Sequence, residues 1–555
     1  MNRLLALCRE ICGAAQLYPC SGDAQLVRME PTKPRDFEQL AEALGKQGFV
    51  CYRQSREGEN AFALFYGQTH NLYLSYSPFE ACTRLVCEPS APLPPCESET
   101  PETPVPVLLT QIRPAYFGVD CGMCYLLRLA DGRFVVFDGC EGEYDEVDHL
   151  MDLLRSQNTR PGKPCIAAWF ITHAHSDHFG GFVGLMDKYA DRVTLERLVY
   201  NWSLPEMTCA TSPLEDFDRV CRNLTDTAVI TARSGQRFCF AGADIDVLYA
   251  CEDLYPTHIR TLNDTSLVLR VGIGKRRVLF LGDCMEQSAA YICRRYPAET
   301  LKCELLQVGH HGYWGGSYEL YKAADPQVLL WPCPDFWYQE IKNWDCNRFL
   351  RESENIRRVI ITGREEAVLD MSLPIPTVDP YDNKGSEVLY SQDFSDTTLL
   401  GLRACCITGG KTGYQPLSLA FLRQGACALS AGNALSVCEW VQPEMTAHAA
   451  VYEFVMRGRL AEPYERIGLL FNHPHPTVWS ERKALWLSLP VGEDWEIRLT
   501  VNTVTHRAEL FCDGKSVRDM LFVAQDSPCG IYLVMKKANV TLYSVGCRRL
   551  EYAQP

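Results

Sequence analysis

The sequence has no apolar run near the roughly 18 residues that a membrane span requires. The longest uncharged stretch beside its motifs, Cys165 to Thr172, is strand-sized, so no spanning helix is expected. The N-terminus, MNRLLALCREICGAA, breaks its apolar run at Arg9 and Glu10; it reads as a helix, because an export signal needs an unbroken core. Basic residues are outnumbered, 54 against 69 acidic, for a net charge of −15. That balance argues against long nucleic acid and anionic membrane surfaces, which both need a positive footprint. Solenoid repeats are absent, and so is low-complexity sequence outside two linkers. Cysteine, by contrast, is plentiful. The 27 cysteines are odd in number and irregularly spaced, and several (Cys51, Cys239, Cys512) sit inside strand-like runs. This suits buried thiols in a reducing cytoplasm better than a disulfide framework.

A content of 47% apolar and 22% charged residues excludes wholesale disorder. At about 150 residues per domain, 555 residues imply three or four domains. Two stretches rich in Pro and without apolar period, 91–106 and 373–387, read as linkers. Residues 1–90 predict a small α+β domain of unknown role. In it Phe37, Leu40 and Leu44 share a helix face that ends at a Gly45 cap, and strands follow near 49–53, 61–66, 71–76 and 82–87. Residues 107–372 alternate strand-like and helical runs. Residues 388–555 are nearly all short strands between turns, the pattern of a β-sandwich.

The chemistry concentrates in few places. Of 12 histidines, five fall in two motifs. Ile171-Thr-His173-Ala-His175-Ser-Asp177-His178-Phe-Gly-Gly181 follows a strand and precedes a helix. Imidazole and carboxylate at this density suit zinc, manganese or iron. The interleaving lets His173 and His175 face one metal while Asp177 and His178 face a second. Arg277 to Asp283 is a strand ending in Gly-Asp, whose carboxylate can bridge two cations. Leu305-Leu-Gln-Val-Gly-His310-His311-Gly is another strand, ending in two histidines. Strand ends are where a sheet presents side chains to one cleft. Other features carry less. Phe471-Asn-His473-Pro-His475-Pro reads as an exposed loop, and His70, His149, His258, His448 and His506 as isolated histidines. Cys121-Gly-Met-Cys124 has no second pair to complete a zinc site and reads as structural thiols. Cys405 stands where a phosphate loop needs its first glycine, so Cys405 to Thr412 fails that pattern. Gly272-Ile-Gly274 reads as a hairpin turn.

On the residues 173–178, Asp283 and 310–311, the chain resembles the metallo-β-lactamase superfamily. Within it, the likeness is to the ComEC competence-protein hydrolase domain and to bacterial phosphorylcholine esterases. Gly118-Val-Asp-Cys-Gly-Met-Cys, Arg133-Phe-Val-Val-Phe-Asp138-Gly-Cys and Asn263-Asp-Thr-Ser266-Leu-Val-Leu269 also carry it. The resemblance covers residues 107–372 and implies an αββα fold with two divalent ions, Zn or Mn. His173, His175, Asp177, His178, Asp283 and His311 would be ligands. Asp177 and His310 would be catalytic, His310 facing a substrate oxygen, though which histidine of the pair binds metal stays open. Asp138 and Asn263 would stand behind the ligands, and Tyr313 and Ser317 would line a substrate pocket. Most of the superfamily has a histidine about 20 residues before the bridging Asp; here Asn263 and Asp264 stand there and His258 is out of register. The first site is therefore expected to hold its ion more weakly.

The resemblance further implies a metal-activated hydroxide that cleaves a phosphodiester, in a small-molecule or short substrate. The long segment 200–259, with Trp202, Phe217, Phe238 and Tyr255, is expected to cover the pocket. Residues 388–555 resemble concanavalin-A-like (laminin-G-like) sandwiches, which often bind carbohydrate. Two alternatives remain beside the diesterase: hydrolysis of a carboxylic ester, lactone or amide on the same site, and a glycan- or partner-binding protein with a vestigial metal domain.

Overall fold

The computed structural model describes residues 1–95, 101–114, 122–142, 146–208, 213–334, 337–338, 341–363 and 366–374. In the C-terminal region it describes 388–392, 402–407, 414–416, 419–422, 426–431, 435–440, 451–471, 484–502, 507–521 and 531–550. The His473–His475 loop, Cys121, His448, His506 and most of the second linker lie outside the described residues.

The N-terminal region is a six-stranded antiparallel sheet in the order Gln16–Pro19, Gln25–Met29, Cys82–Pro89, His70–Ser77, Asn60–Tyr66, Val50–Glu57. Two helices, Asn2–Cys12 and Pro34–Lys46, cover one face. The second is amphipathic: Phe37, Leu40 and Leu44 recur at helical spacing and are fully buried against Val27, Leu72 and Leu85. Gly45 is not its cap. The helix continues to Lys46, and the left-handed turn falls at Gly48, φ 92°.

Residues 108–370 form two sheets packed face to face. The first runs Ala228–Thr231, Arg197–Tyr200, Cys165–Phe170, Phe134–Asp138, Cys124–Arg128, Leu108–Gln111, Ala367–Asp370. The second runs Arg237–Phe240, Ala243–Tyr249, Val268–Ile273, Arg276–Phe280, Leu305–Gln307, Val328–Trp331, Arg358–Ile361. Their shared core is aromatic and aliphatic, with Phe137 stacked on Phe280 at 4.5 Å. Helices Glu146–Ser156, Ser176–Tyr189 and Glu215–Arg222 cover the outer face of the first sheet. Helices Glu286–Arg295, Tyr318–Ala324 and Asp345–Arg351 cover the second. This is the αββα layering expected from sequence. The Gly272-Ile-Gly274 turn is real but tighter: Gly272 pairs within the strand and Gly274, φ 59°, makes the turn.

Among its described residues, segment 200–259 supplies strands to both sheets, and Phe217, Phe238 and Tyr255 are buried in the hydrophobic cores rather than in a cover, while Trp202 is half-buried against one of them. The apolar surface of the three buried rings is removed from water inside the layers, which leaves none of the three at a pocket rim. The N-terminal sheet packs on the second-sheet side of the molecule, where Leu26, Phe62, Leu64 and Tyr73 join one core with Leu248, Ala289 and Ile292.

Among the described residues, the C-terminal region is all β: its two sheets hold eight and six strands, and Phe454 and Leu499 of one share a core with Leu469 and Met535 of the other. Among the described residues, no helix is long and apolar enough to cross a membrane, and 20 cysteines are free thiols.

Candidate metal centre

Parallel strands explain how distant residues meet. Phe134–Asp138 and Cys165–Phe170 run parallel in the first sheet, and Arg276–Phe280 and Leu305–Gln307 run parallel in the second. Asp138, the 173–178 motif, Asp283 and the 310–311 pair all follow the C-terminal ends of these strands. Val268–Ile273 is antiparallel to its neighbour, so the segment before it, with Asn263 and Ser266, reaches the same edge. Leu267 N donates to Thr172 O at 2.9 Å and ties the two sheets together there.

His173 and His175 lie between the strand and helix Ser176–Tyr189, while Asp177 and His178 occupy its first turn. Glycine is required on this helix. A Cβ at Gly180 would stand 1.8 Å from Glu141 O, and one at Gly181 would stand 1.8 Å from Gly139 O. The helix end is thereby held against the loop after Asp138.

Ligand-type atoms gather into two sets: His173, His175 and Asp283; and Asp177, His178, Asp283 and His311. Asp283 belongs to both and divides its oxygens. Oδ1 lies 3.2 Å from His178 Nε2 and 3.5 Å from His311 Nε2, and Oδ2 lies 3.6 Å from His173 Nε2. His173 Nε2 and His175 Nδ1 are 2.9 Å apart, and His311 Nε2 is 3.1 Å from Asp177 Oδ2.

The surrounding bonds orient these donors. His178 Nδ1 donates to Asp138 Oδ2 at 2.7 Å, and Asp138 also accepts from Thr172 N and Oγ1 at 2.7 and 2.9 Å. His311 Nδ1 donates to Pro332 O at 2.8 Å. Both histidines therefore turn Nε2 toward the centre. Asp283 N donates to Ser266 Oγ at 3.0 Å. His178 Nε2 and Asp283 Oδ1 are buried and have no hydrogen-bond partner although they are close. Orphaned buried donors and acceptors are costly. A cation between them satisfies both, so the donor set fits divalent metal.

Burial alone disfavours the charged form of every group here. For His178, the carboxylates of Asp283, Asp177 and Asp138 outweigh burial and raise its pKa well above the usual value. His311 is raised by Asp283 and Asp177 despite burial. His173 and His310 are lowered by burial. Asp177 and Asp283 resist burial and are held low, chiefly by His178, with His311 also contributing. Burial raises Asp138.

His310 stands apart from both ligand sets. Its Nε2 is 3.0 Å from Asn263 Nδ2 and 3.9 Å from Asp283 Oδ2. Asn263 Nδ2 also donates to Met285 Sδ at 3.5 Å. His258 is exposed, and its backbone carbonyl accepts from Gln287 Nε2 at 3.1 Å. Of the two pocket residues, Tyr313 meets the His310 ring edge-to-face at 5.9 Å. Ser317 Oγ accepts from Leu320 N at 3.1 Å and caps helix Tyr318–Ala324. Sequence reasoning missed Thr172 and Ser266, which lie inside the quoted motifs, and the tryptophans beside Tyr313, which carry no motif.

Residues 119–329 match the metallo-beta-lactamase superfamily. No curated protein matches the chain. Among solved structures, the metallo-beta-lactamase fold protein YhfI from Bacillus subtilis is 14% identical and aligns over 48% of this chain and all of its own, with a TM-score of 0.32. Carbohydrate-binding module CBM66 from Bacillus subtilis is 9% identical over 24% of this chain and 91% of its own, TM-score 0.19. The CBM2 module of Lactobacillus casei BL23 phage J-1 evolved Dit is 10% identical over 30% of this chain and 98% of its own, TM-score 0.22.

Proposed function

With residues 119–329 as a metallo-β-lactamase superfamily domain, we propose that the protein is a metal-dependent phosphodiesterase. The observation that carries the hydrolase reading is the division of the Asp283 oxygens between two ligand sets. His173, His175 and Asp283 would hold one divalent ion, Zn or Mn, and Asp177, His178, Asp283 and His311 the second. Bound there, such ions lower the pKa of water and offset negative charge on the reacting oxygens.

The chain's own residues do the rest. Asp138 holds His178 with Nε2 turned toward the centre, and the Pro332 carbonyl does the same for His311. Asp177 Oδ2 faces His311 Nε2 across the second set at 3.1 Å. His310, outside both sets, is assigned to a substrate oxygen, and Asn263 positions its ring. The diester class is supported by the competence-type and choline-esterase-type motif around Asn263 to Leu269.

Bis(p-nitrophenyl) phosphate, offered beside phosphomonoester, carboxylic-ester and lactam probes with Mn²⁺ or Zn²⁺, tests the reading. Diester turnover that disappears in Asp283→Asn and His175→Ala supports it. Ester or lactam turnover without diester turnover replaces it with the acyl-hydrolase reading. For the C-terminal sandwich we propose a glycan ligand in a groove of about 300 Å³ lined by Glu453, Arg457, Glu496, Arg498 and Arg548. Binding of the full chain to a glycan array, lost in Arg457→Ala, tests that part.

A further inference from the structure

The loop after the second-sheet histidines is strained and pinned. His310, His311 and Trp314 adopt φ of 47°, 54° and 60°, a region that bulky L-residues resist. The surrounding structure enforces it. His310 N donates to Gly282 O and Gly316 N to Cys284 O, at 3.1 and 2.7 Å. Asn347 Nδ2 donates to Gly312 O at 2.7 Å, and Trp331 Nε1 to His311 O at 2.9 Å. Gly312 has φ 86°, and a Cβ there would lie 2.5 Å from Trp331 Nε1.

At His310 and His311 the strained backbone places side chains at the centre. At Trp314 it does the opposite and sends an indole outward, 65% exposed. An exposed indole on a rigid loop contributes nothing to the core. The ring is nonetheless linked to the centre. His310 meets Tyr313, and Tyr313 meets Trp314 at 4.7 Å. Trp344 lies nearly parallel to Trp314 at 5.0 Å and 24°. One indole face is backed by Trp344, and about two thirds of the residue is open to solvent.

Resting on the diesterase reading and deepening it, we propose that Trp314, backed by Trp344, is a stacking platform beside the metal centre. Its ligand is a phosphate ester that carries a ring with a face to lay on the indole, either a nucleobase or a sugar. The phosphate would sit at the centre and the ring on the exposed indole. One exposed indole suits ring stacking, whereas a quaternary cation is best held by rings on several sides.

Calorimetric titration of the metal-loaded full chain with adenosine 5′-monophosphate, glucose 1-phosphate, choline phosphate and methyl phosphate tests this. A ring-bearing phosphate should bind about tenfold tighter than methyl phosphate. Trp314→Ala should erase that advantage and leave methyl phosphate unchanged, and Trp314→Phe should keep most of it. An advantage for the adenosine compound alone names the base, and for the glucose compound alone the sugar. A ring advantage that survives Trp314→Ala overturns the platform. So does an equal loss for methyl phosphate, or a Trp314-dependent gain seen only with choline phosphate. Ring binding that depends on Trp314 without any diester turnover would sink the diesterase reading and leave the platform standing. Diester turnover with no Trp314-dependent binding would do the reverse.

Discussion

Arg84, Arg233 and Arg295 are as buried as the histidines of the metal centre, yet their charges are arranged differently. They lie where the N-terminal sheet packs on the second-sheet side of the metallo domain. Each guanidinium there meets a carboxylate: Arg84 meets Glu80 at 2.7 Å, Arg233 meets Glu88 at 3.0 Å and Glu252 at 3.1 Å, and Arg295 meets Asp253 at 2.6 Å. Every guanidinium nitrogen of Arg233 has a partner, whereas Arg84 Nε and Arg295 Nε and Nη2 do not. At the metal centre the donors crowd together instead, and His178 Nε2 and Asp283 Oδ1 are left without partners. Buried charge that is matched with opposite charge holds a structure together. Buried donors that converge without matching imply a cation from outside.

The comparison is broken first on the matched side. Arg233→Met should destabilise the chain by about 3–5 kcal/mol, because Glu88 and Glu252 are left buried without their cation. Chemical denaturation reads the loss, and the metal content of the folded fraction should not change. On the unmatched side, Asp138→Asn should weaken metal binding about 10–100-fold by releasing the His178 ring. Competition with a chelator measures it.

Protons sharpen the contrast. In the metal-free protein the carboxylates hold His178 and His311 protonated above their ordinary pKa. Metal must displace those protons, so affinity rises with pH and goes on rising beyond the ordinary histidine value of 6.5. Titrations in buffers of different ionisation enthalpy should show net proton release at pH 7.5. The smallest effect is at Ser317. Ser317→Ala should cost about 1 kcal/mol through the lost helix cap and leave turnover unchanged. A fall in turnover instead would place Ser317 in the pocket.

Much of the centre was legible because its chemistry is local in sequence. His173, His175, Asp177 and His178 fall within six residues, and Asp283 and His310–His311 follow recognisable strands. What was not legible depends on long-range contact. Thr172 and Ser266 look like ordinary hydroxyl residues until Asp138 and Asp283 are placed beside them. Trp314, Trp337 and Trp344 come together only when the loop and the segment after Val328–Trp331 fold against each other. The aromatics of 200–259 were misread because apolar residues in a long intervening segment fit a cover and a core equally well. Strands Gln16–Pro19 and Gln25–Met29 escaped notice because they are short and the first is largely exposed. Gly45 resembled a cap, but a glycine three residues later supplies the required positive φ.

Metal stoichiometry by elemental mass spectrometry tests the central claim most directly, on protein loaded with Zn²⁺ or Mn²⁺ and freed of excess ion. The wild type should hold two ions, His175→Ala and His311→Ala one each, and Asp283→Asn neither at full occupancy. Two ions retained in Asp283→Asn, or none in the wild type, would contradict a centre built on one shared carboxylate.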